Sequence, residues 1–190
     1  MTAVLPDRRA RREALRDAAD RSVRRDGPAA SMATIAAEAG ITKPVLYRHF
    51  GDKSGLYDAL ADRYTSRLLA DLEAALRDGR DRRDRVERTV GAYLAAIEAE
   101  PQVYRFLVRP DEEPTASRQV RSFTRRLAGL LAEGIENELG VPPVRAAAWA
   151  HGIVGMVQSA GDWWLDTRAA DRTELVREMV DLLFGGYASS

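Results

Sequence analysis

Residues 31–53, SMATIAAEAGITKPVLYRHFGDK, leave the backbone little freedom. Ser31 is a good N-cap for a short helix whose apolar face is Ile35, Ala36 and Ala39. Gly40 follows where a helix C-terminus needs a left-handed residue. Thr42 can cap a second helix, and Pro44 falls in its first turn, where a missing N–H costs little. Leu46 and Phe50 lie four apart and face inward. The pattern predicts helix, tight turn, helix, with Lys43, Val45, Tyr47, Arg48 and His49 on the outer surface. Cations, a hydroxyl and a small methyl surface are what a helix needs to grip phosphates and touch base edges.

The rest of the chain carries helical periodicity and almost no strand signal. A first helix spans 8–26, with Leu15, Ala18, Ala19, Ser22 and Val23 on one face and Gly27-Pro28 ending it. After the helix-turn-helix, a long helix keeps Leu56, Leu60, Tyr64, Leu68, Leu69, Leu72 and Leu76 in register and ends near Gly79. Residues 79–85, GRDRRDR, read as a charged connection, and a helix over 84–99 ends at Glu100-Pro101. Further helices are predicted over 101–108, 115–139, 143–166 and 171–184, with a loop at Pro110 to Pro114. The predicted fold is therefore all-α.

Charge divides unevenly along a chain of zero net charge. Residues 1–53 hold eleven Lys/Arg against seven Asp/Glu, or +4, and residues 54–190 hold eighteen against twenty-two, or −4. A basic N-terminal third on an acidic remainder suits a DNA-binding head on a body that does not bind DNA. The chain has only two lysines, Lys43 and Lys53, and both fall in the helix-turn-helix segment. Elsewhere every cation is arginine.

This segment resembles the helix-turn-helix of the tetracycline-repressor (TetR) family of bacterial transcription regulators. The resemblance rests on Ile35-Ala36-Ala37-Glu38-Ala39-Gly40, Thr42-Lys43, Leu46-Tyr47-Arg48-His49-Phe50, then Lys53 and Leu56. It covers roughly residues 10–60; beyond that, length and architecture alone match. One departure is Ser22-Val23, where the family usually has a large aliphatic followed by an aromatic. The resemblance implies about nine helices, a DNA-binding head over 1–53 and an effector-binding, dimerising body over 54–190. It implies double-stranded operator DNA as partner, with Lys43 and Val45 for base edges. Ser31, Thr42, Tyr47, His49 and Lys53 are the candidates for phosphates, and Arg48 for either.

In the body, residues 143–166 are apolar on nearly all sides and so should be covered on nearly all sides. Gly152, Gly155 and Ser159 make a small stripe; Trp149, Ile153, Met156, Trp163 and Trp164 make a bulky one. A helix buried all round in a body this small implies a partner surface, and the family's last two helices pair across a two-fold axis. That makes Gly152, Gly155, Ser159, Leu175, Met179 and Leu182 candidates for a homodimer interface. The resemblance also implies a small-molecule pocket, for which Tyr93, Ile97, Tyr104, Phe123, Leu127, Trp149, Ile153 and Met156 are candidates. Their apolar character favours a mostly hydrophobic effector. His151, Gln158 and Asp162 share a helical face, and three roles stay open for them: holding a ligand head, bridging a dimer, or pairing with Arg145.

Other chemistries find little support. There is no cysteine, no nucleophile elbow, no phosphate loop and no dinucleotide fingerprint. Two histidines barely supply a metal site, so no metal, cofactor or enzymatic activity is expected. No apolar run is long enough for a membrane span, and the arginine-rich start is unlike a secretory signal, so a cytoplasmic protein is expected. The reading is a ligand-responsive repressor that binds palindromic operators as a homodimer. The alternative is a helical small-molecule or protein-binding module without sequence-specific DNA binding.

Overall fold

A computed structural model of the chain describes residues 8–108 and 116–185, and the predicted loop at Pro110 to Pro114 lies outside them. Among the described residues there are nine α-helices, one 3-10 turn and no strand. In order they are α1 Arg8–Asp26, the 3-10 turn Gly27–Ala29, α2 Met32–Glu38, α3 Lys43–Phe50 and α4 Lys53–Asp78. Then follow α5 Arg82–Ala99, α6 Pro101–Val108, α7 Ala116–Leu139, α8 Pro143–Thr167 and α9 Arg172–Gly185. The all-α expectation is what the chain adopts.

The element borders follow local chemistry. Gly40, at φ 65°, takes the left-handed conformation that lets α2 end and the chain turn into α3. The start of α5 differs from the sequence reading. The Asp81 carboxylate accepts the Asp84 N–H at 2.9 Å, so the helix begins at Arg82, inside the segment read as a connection.

The chain divides into two compact units, one of Met1–Tyr64 with Gln102–Val120, the other of Thr65–Pro101 with Arg121–Ser190. The first has a filled apolar core. Leu15, Ala19 and Val23 of α1, Ile35 and Ala36 of α2, and Leu46 and Phe50 of α3 meet Leu56, Leu60 and Ala61 of α4. Leu46 has no exposed surface, and burying such a side chain contributes about 1.5–3 kcal/mol. Helix α6 adds Val103 and Leu107, and the Tyr57 hydroxyl donates to the Leu107 carbonyl oxygen. Desolvation raises the Tyr57 phenol above its ordinary range, so it stays a donor. At the departure noted above, Ser22 is fully buried and its hydroxyl donates to Asp26 at 3.3 Å, so the polar group has a partner.

The second unit packs α5 against α8 and α9. Val90, Tyr93, Leu94 and Ile97 of α5 are buried, as are Leu175, Val176, Met179 and Val180 of α9. Gly161 permits the α5–α8 approach: a Cβ there would lie 3.0 Å from Ile97 and 3.2 Å from Tyr93. Trp164 is buried, and its indole N–H donates to the Ala170 carbonyl at 2.8 Å. The expectation that α8 is covered nearly all round holds for only one side of it within the chain. Ala146, Ala150, Val154, Val157 and Leu165 are buried, whereas Trp149 and Trp163 remain 45% and 50% exposed.

Candidate functional site

The first site is built on α2 and α3. Ser31 caps α2 through a capping box: its hydroxyl accepts the Thr34 N–H at 3.2 Å, and its own N–H donates to Thr34 Oγ1 at 2.9 Å. Its side chain stays exposed. Thr42 opens α3 in an extended conformation and makes no capping bond through its side chain, so the exposed hydroxyl is not consumed by the helix. Leu46 and Phe50 anchor α3 in the core, as their spacing predicted. Lys43, Tyr47 and Arg48 are exposed; Val45 and His49 are half-buried, because each borders the buried face rather than opposing it. Lys53 opens α4, and its side chain lies outside the described ones.

Charge around this helix pair is organised by ion pairs. Glu38, at the end of α2, accepts Arg25 at 2.8 Å and Arg21 at 3.0 Å from α1. The hydrogen bond from Arg25, then that from Arg21, hold the Glu38 carboxyl below its ordinary range. Asp17, Asp20 and Asp26 pair with Arg63, Arg24 and Arg25. These carboxylates of the unit are thus matched by arginines, and Lys43 and Arg48 present cations at the surface of α3. One short helix therefore offers cations and hydroxyls around a small apolar patch at Val45, a combination that serves phosphate and base-edge contacts together.

The second site lies wholly in the second unit. A cavity of about 610 Å³, including its open mouth, is enclosed by four helices. Leu72 and Leu76 come from α4, and Val86, Thr89, Val90 and Tyr93 from α5. Phe123, Leu127 and Leu131 come from α7, and Ile153, Val154, Val157 and Gln158 from α8. The apolar lining with few polar groups is that of a small-molecule pocket. Of the eight candidates named from sequence, Tyr93, Phe123, Leu127 and Ile153 line it. The other four do not. Ile97 packs against the Gly161 position, Tyr104 belongs to the first unit, Trp149 is exposed, and Met156 is half-buried outside the lining.

The outward side of α8 forms a third feature. Gly152, Gly155 and Ser159 are exposed, as is Trp149, and a Cβ at either glycine would meet nothing within 4 Å. Of the bulky stripe, Trp149 and Trp163 are exposed like the small stripe, whereas Ile153 lines the cavity and Trp164 is buried. On α9, Leu182 is 37% exposed, but Leu175 and Met179 are buried by the chain itself, so their burial needs no second copy. His151 is exposed, with its Nδ1 2.9 Å from the Ala147 carbonyl oxygen, and Asp162 is exposed too. Of the three polar residues on that face, Gln158 alone lines the cavity. No helix among the described residues is long and apolar enough to cross a membrane.

Comparison with known proteins bears directly on this arrangement. The family description "Bacterial regulatory proteins, tetR family" matches residues 15–60, and "Tetracyclin repressor-like, C-terminal domain" matches residues 71–190. The HTH-type transcriptional activator FasR of Mycolicibacterium smegmatis is 33% identical over 163 residues, covering 84% of this chain and 74% of FasR. A tetR-family transcriptional regulator from Streptomyces coelicolor superposes with a TM-score of 0.71 at 26% identity, over 90% of this chain and 77% of that one. The transcriptional regulator FadR from Bacillus subtilis, solved in complex with stearoyl-CoA, shares the fold at a TM-score of 0.68 and 17% identity, over 92% of this chain and 98% of FadR. The fold and the matched head define a DNA-binding, helix-turn-helix transcription regulator. The chain belongs to the TetR family.

Proposed function

We propose that this regulator is a homodimeric repressor that binds a palindromic operator and is released by a small, mostly hydrophobic effector. Residues 1–53 act as the DNA-reading head and residues 54–190 as the effector-binding and dimerising body. The observation that carries the reading is an apolar, four-helix cavity in the same chain as an exposed recognition helix. Lys43 and Val45 contact base edges; Ser31, Thr42, Tyr47, His49 and Lys53 contact phosphates; Arg48 serves either. Two copies pair through the exposed stripe of α8 with Leu182 of α9, because Trp149, Trp163 and Leu182 are large apolar side chains left exposed, and C2 pairing is the commonest way to cover such surface. The relatedness in fold to FadR, solved with stearoyl-CoA, supports an effector with a long apolar chain. The protein works where its operator is, in the cytoplasm, and carries out no catalysis.

The mechanism is a population shift. The effector prefers a dimer geometry in which the two recognition helices no longer match successive major grooves. Such coupling weakens operator binding by about 5- to 150-fold, and operator weakens effector binding by the same factor. The test selects the operator from genomic fragments with purified protein, then measures its affinity with and without effector. Equal affinity in both conditions would refute ligand control. A second reading, activation, is favoured by the relative FasR, an activator by name. In vitro transcription from the selected promoter decides the sign.

A further inference from the structure

The cavity is built without a charge. Its polar lining is Thr89, Tyr93 and Gln158. The Thr89 hydroxyl donates to the Arg85 carbonyl at 2.7 Å, which leaves it only lone pairs to offer. Gln158 Nε2 donates to Thr124 Oγ1 at 3.2 Å, a bond that orients the amide and leaves a second N–H and the amide oxygen for a ligand. Cations adjoining the lining are occupied: Arg85, next to Val86, pairs with Glu138, and Arg126, next to Leu127, pairs with Glu73. An ion placed in such a pocket loses its hydration and gains no counter-charge. A neutral polar group loses less, and one hydrogen bond compensates it.

We infer that the effector's inserted part is an uncharged alkyl or acyl chain bearing one ester, thioester, amide or hydroxyl group read by Gln158, and that a carboxylate or phosphate stays outside the cavity. Gln158 is thereby a specificity-determining residue. The inference rests on the cavity being the effector site and narrows what that site accepts.

Four probes of one chain length test it on the full-length protein by calorimetry: octane, octanol, methyl octanoate and octanoate, at about pH 8, where octanoate is ionised. Octanol and the ester should bind at least about tenfold more tightly than octanoate. Gln158→Leu should weaken octanol and the ester about three- to tenfold and leave octane unchanged. Gln158→Met, closer in shape, should behave as Gln158→Leu does, which separates lost hydrogen bonding from disturbed packing. Octanoate binding as tightly as the ester would overturn the inference while leaving the effector site intact. So would an equal loss for octane in both variants. If none of the four binds, octane included, the effector reading itself falls.

Discussion

The two compact units spend their apolar residues in opposite ways. In the first, small residues such as Ala19, Ala36 and Ala61 let α1, α2, α3 and α4 close on a filled core around Leu46. In the second, Leu72, Val90, Phe123, Leu127 and Ile153 come from four helices and stop short of one another, leaving a cavity. The difference fits the proposed function. A helix that reads DNA must hold its exposed side chains in fixed positions, and a packed underside does that. A unit that senses a small molecule must leave part of its interior unfilled, forgoing the contacts that a closed core would make.

The largest expected effect tests whether the second unit serves DNA binding by pairing two copies. Gly155→Glu adds a side chain where a Cβ meets nothing, so the subunit fold should survive with an unchanged circular dichroism spectrum. The dimer should dissociate, and operator affinity should fall by more than about 100-fold, because two half-sites must be held together. Light scattering and fluorescence anisotropy report both. A persisting dimer with normal operator binding would remove α8 from the interface.

A paired truncation sharpens the contrast in packing. Leu46→Ala, in the filled core, should cost about 2–5 kcal/mol in denaturant unfolding. Ile153→Ala, on the half-buried cavity wall, should cost less than about 2 kcal/mol, since little new void is created where a void already exists. Similar losses at both sites would mean that the cavity closes in solution.

Within the head, two substitutions test the proposed division between base reading and phosphate gripping. Lys43→Ala should cost about 1–3 kcal/mol on the specific operator and less on random DNA. Lys53→Ala should weaken all DNA alike and lower the salt slope by about one charge. Equal losses on both DNAs for Lys43→Ala would reassign it to the backbone.

The smallest effect is acid dependence at the start of α5. The Arg80 N–H, then the Arg80 and Arg88 guanidiniums, hold the half-buried Asp84 carboxyl down at about 2, against an ordinary 3.8. A depressed carboxyl contributes stability above its unfolded value and loses it as pH falls through the folded one. The contribution of Asp84 should therefore fade between about pH 4 and pH 2, and Asp84→Asn should flatten unfolding curves in that window only. Carboxyl NMR titration checks the midpoint; a value near 4 would show that the cluster does not hold in solution.

What could be read from the residues was whatever is local in the chain. Gly27-Pro28, Gly40 and Gly140 mark helix ends without reference to tertiary structure, and Leu46 and Phe50 declare the inner face of α3 by their spacing alone. The cavity is a property of four helices meeting, so it was only half legible. Tyr93, Phe123, Leu127 and Ile153 were named for being apolar, whereas Leu72 and Leu76 looked like ordinary stripe residues of α4. In α8 periodicity fails altogether, since apolar side chains on every face cannot say which one meets a neighbour. Trp149 was assigned to a pocket and lies outside, and Gln158 was grouped with His151 and Asp162 yet lines the cavity alone. Leu175 and Met179 were placed at an interface, but they are buried within the chain, where α9 packs on α5.

The arginine bias has one practical outcome in covalent chemistry. Lys43 stands exposed in the first turn of α3, and Lys53 is the sole other lysine of the chain. Reagents that acylate primary side-chain amines therefore have two targets, both in the segment that reads DNA. Light acylation followed by mass spectrometry becomes a footprint of the recognition helix, with bound operator shielding the amines. Dyes or surface linkers attached through amines would instead block that helix, so immobilisation for binding studies should use a terminal tag.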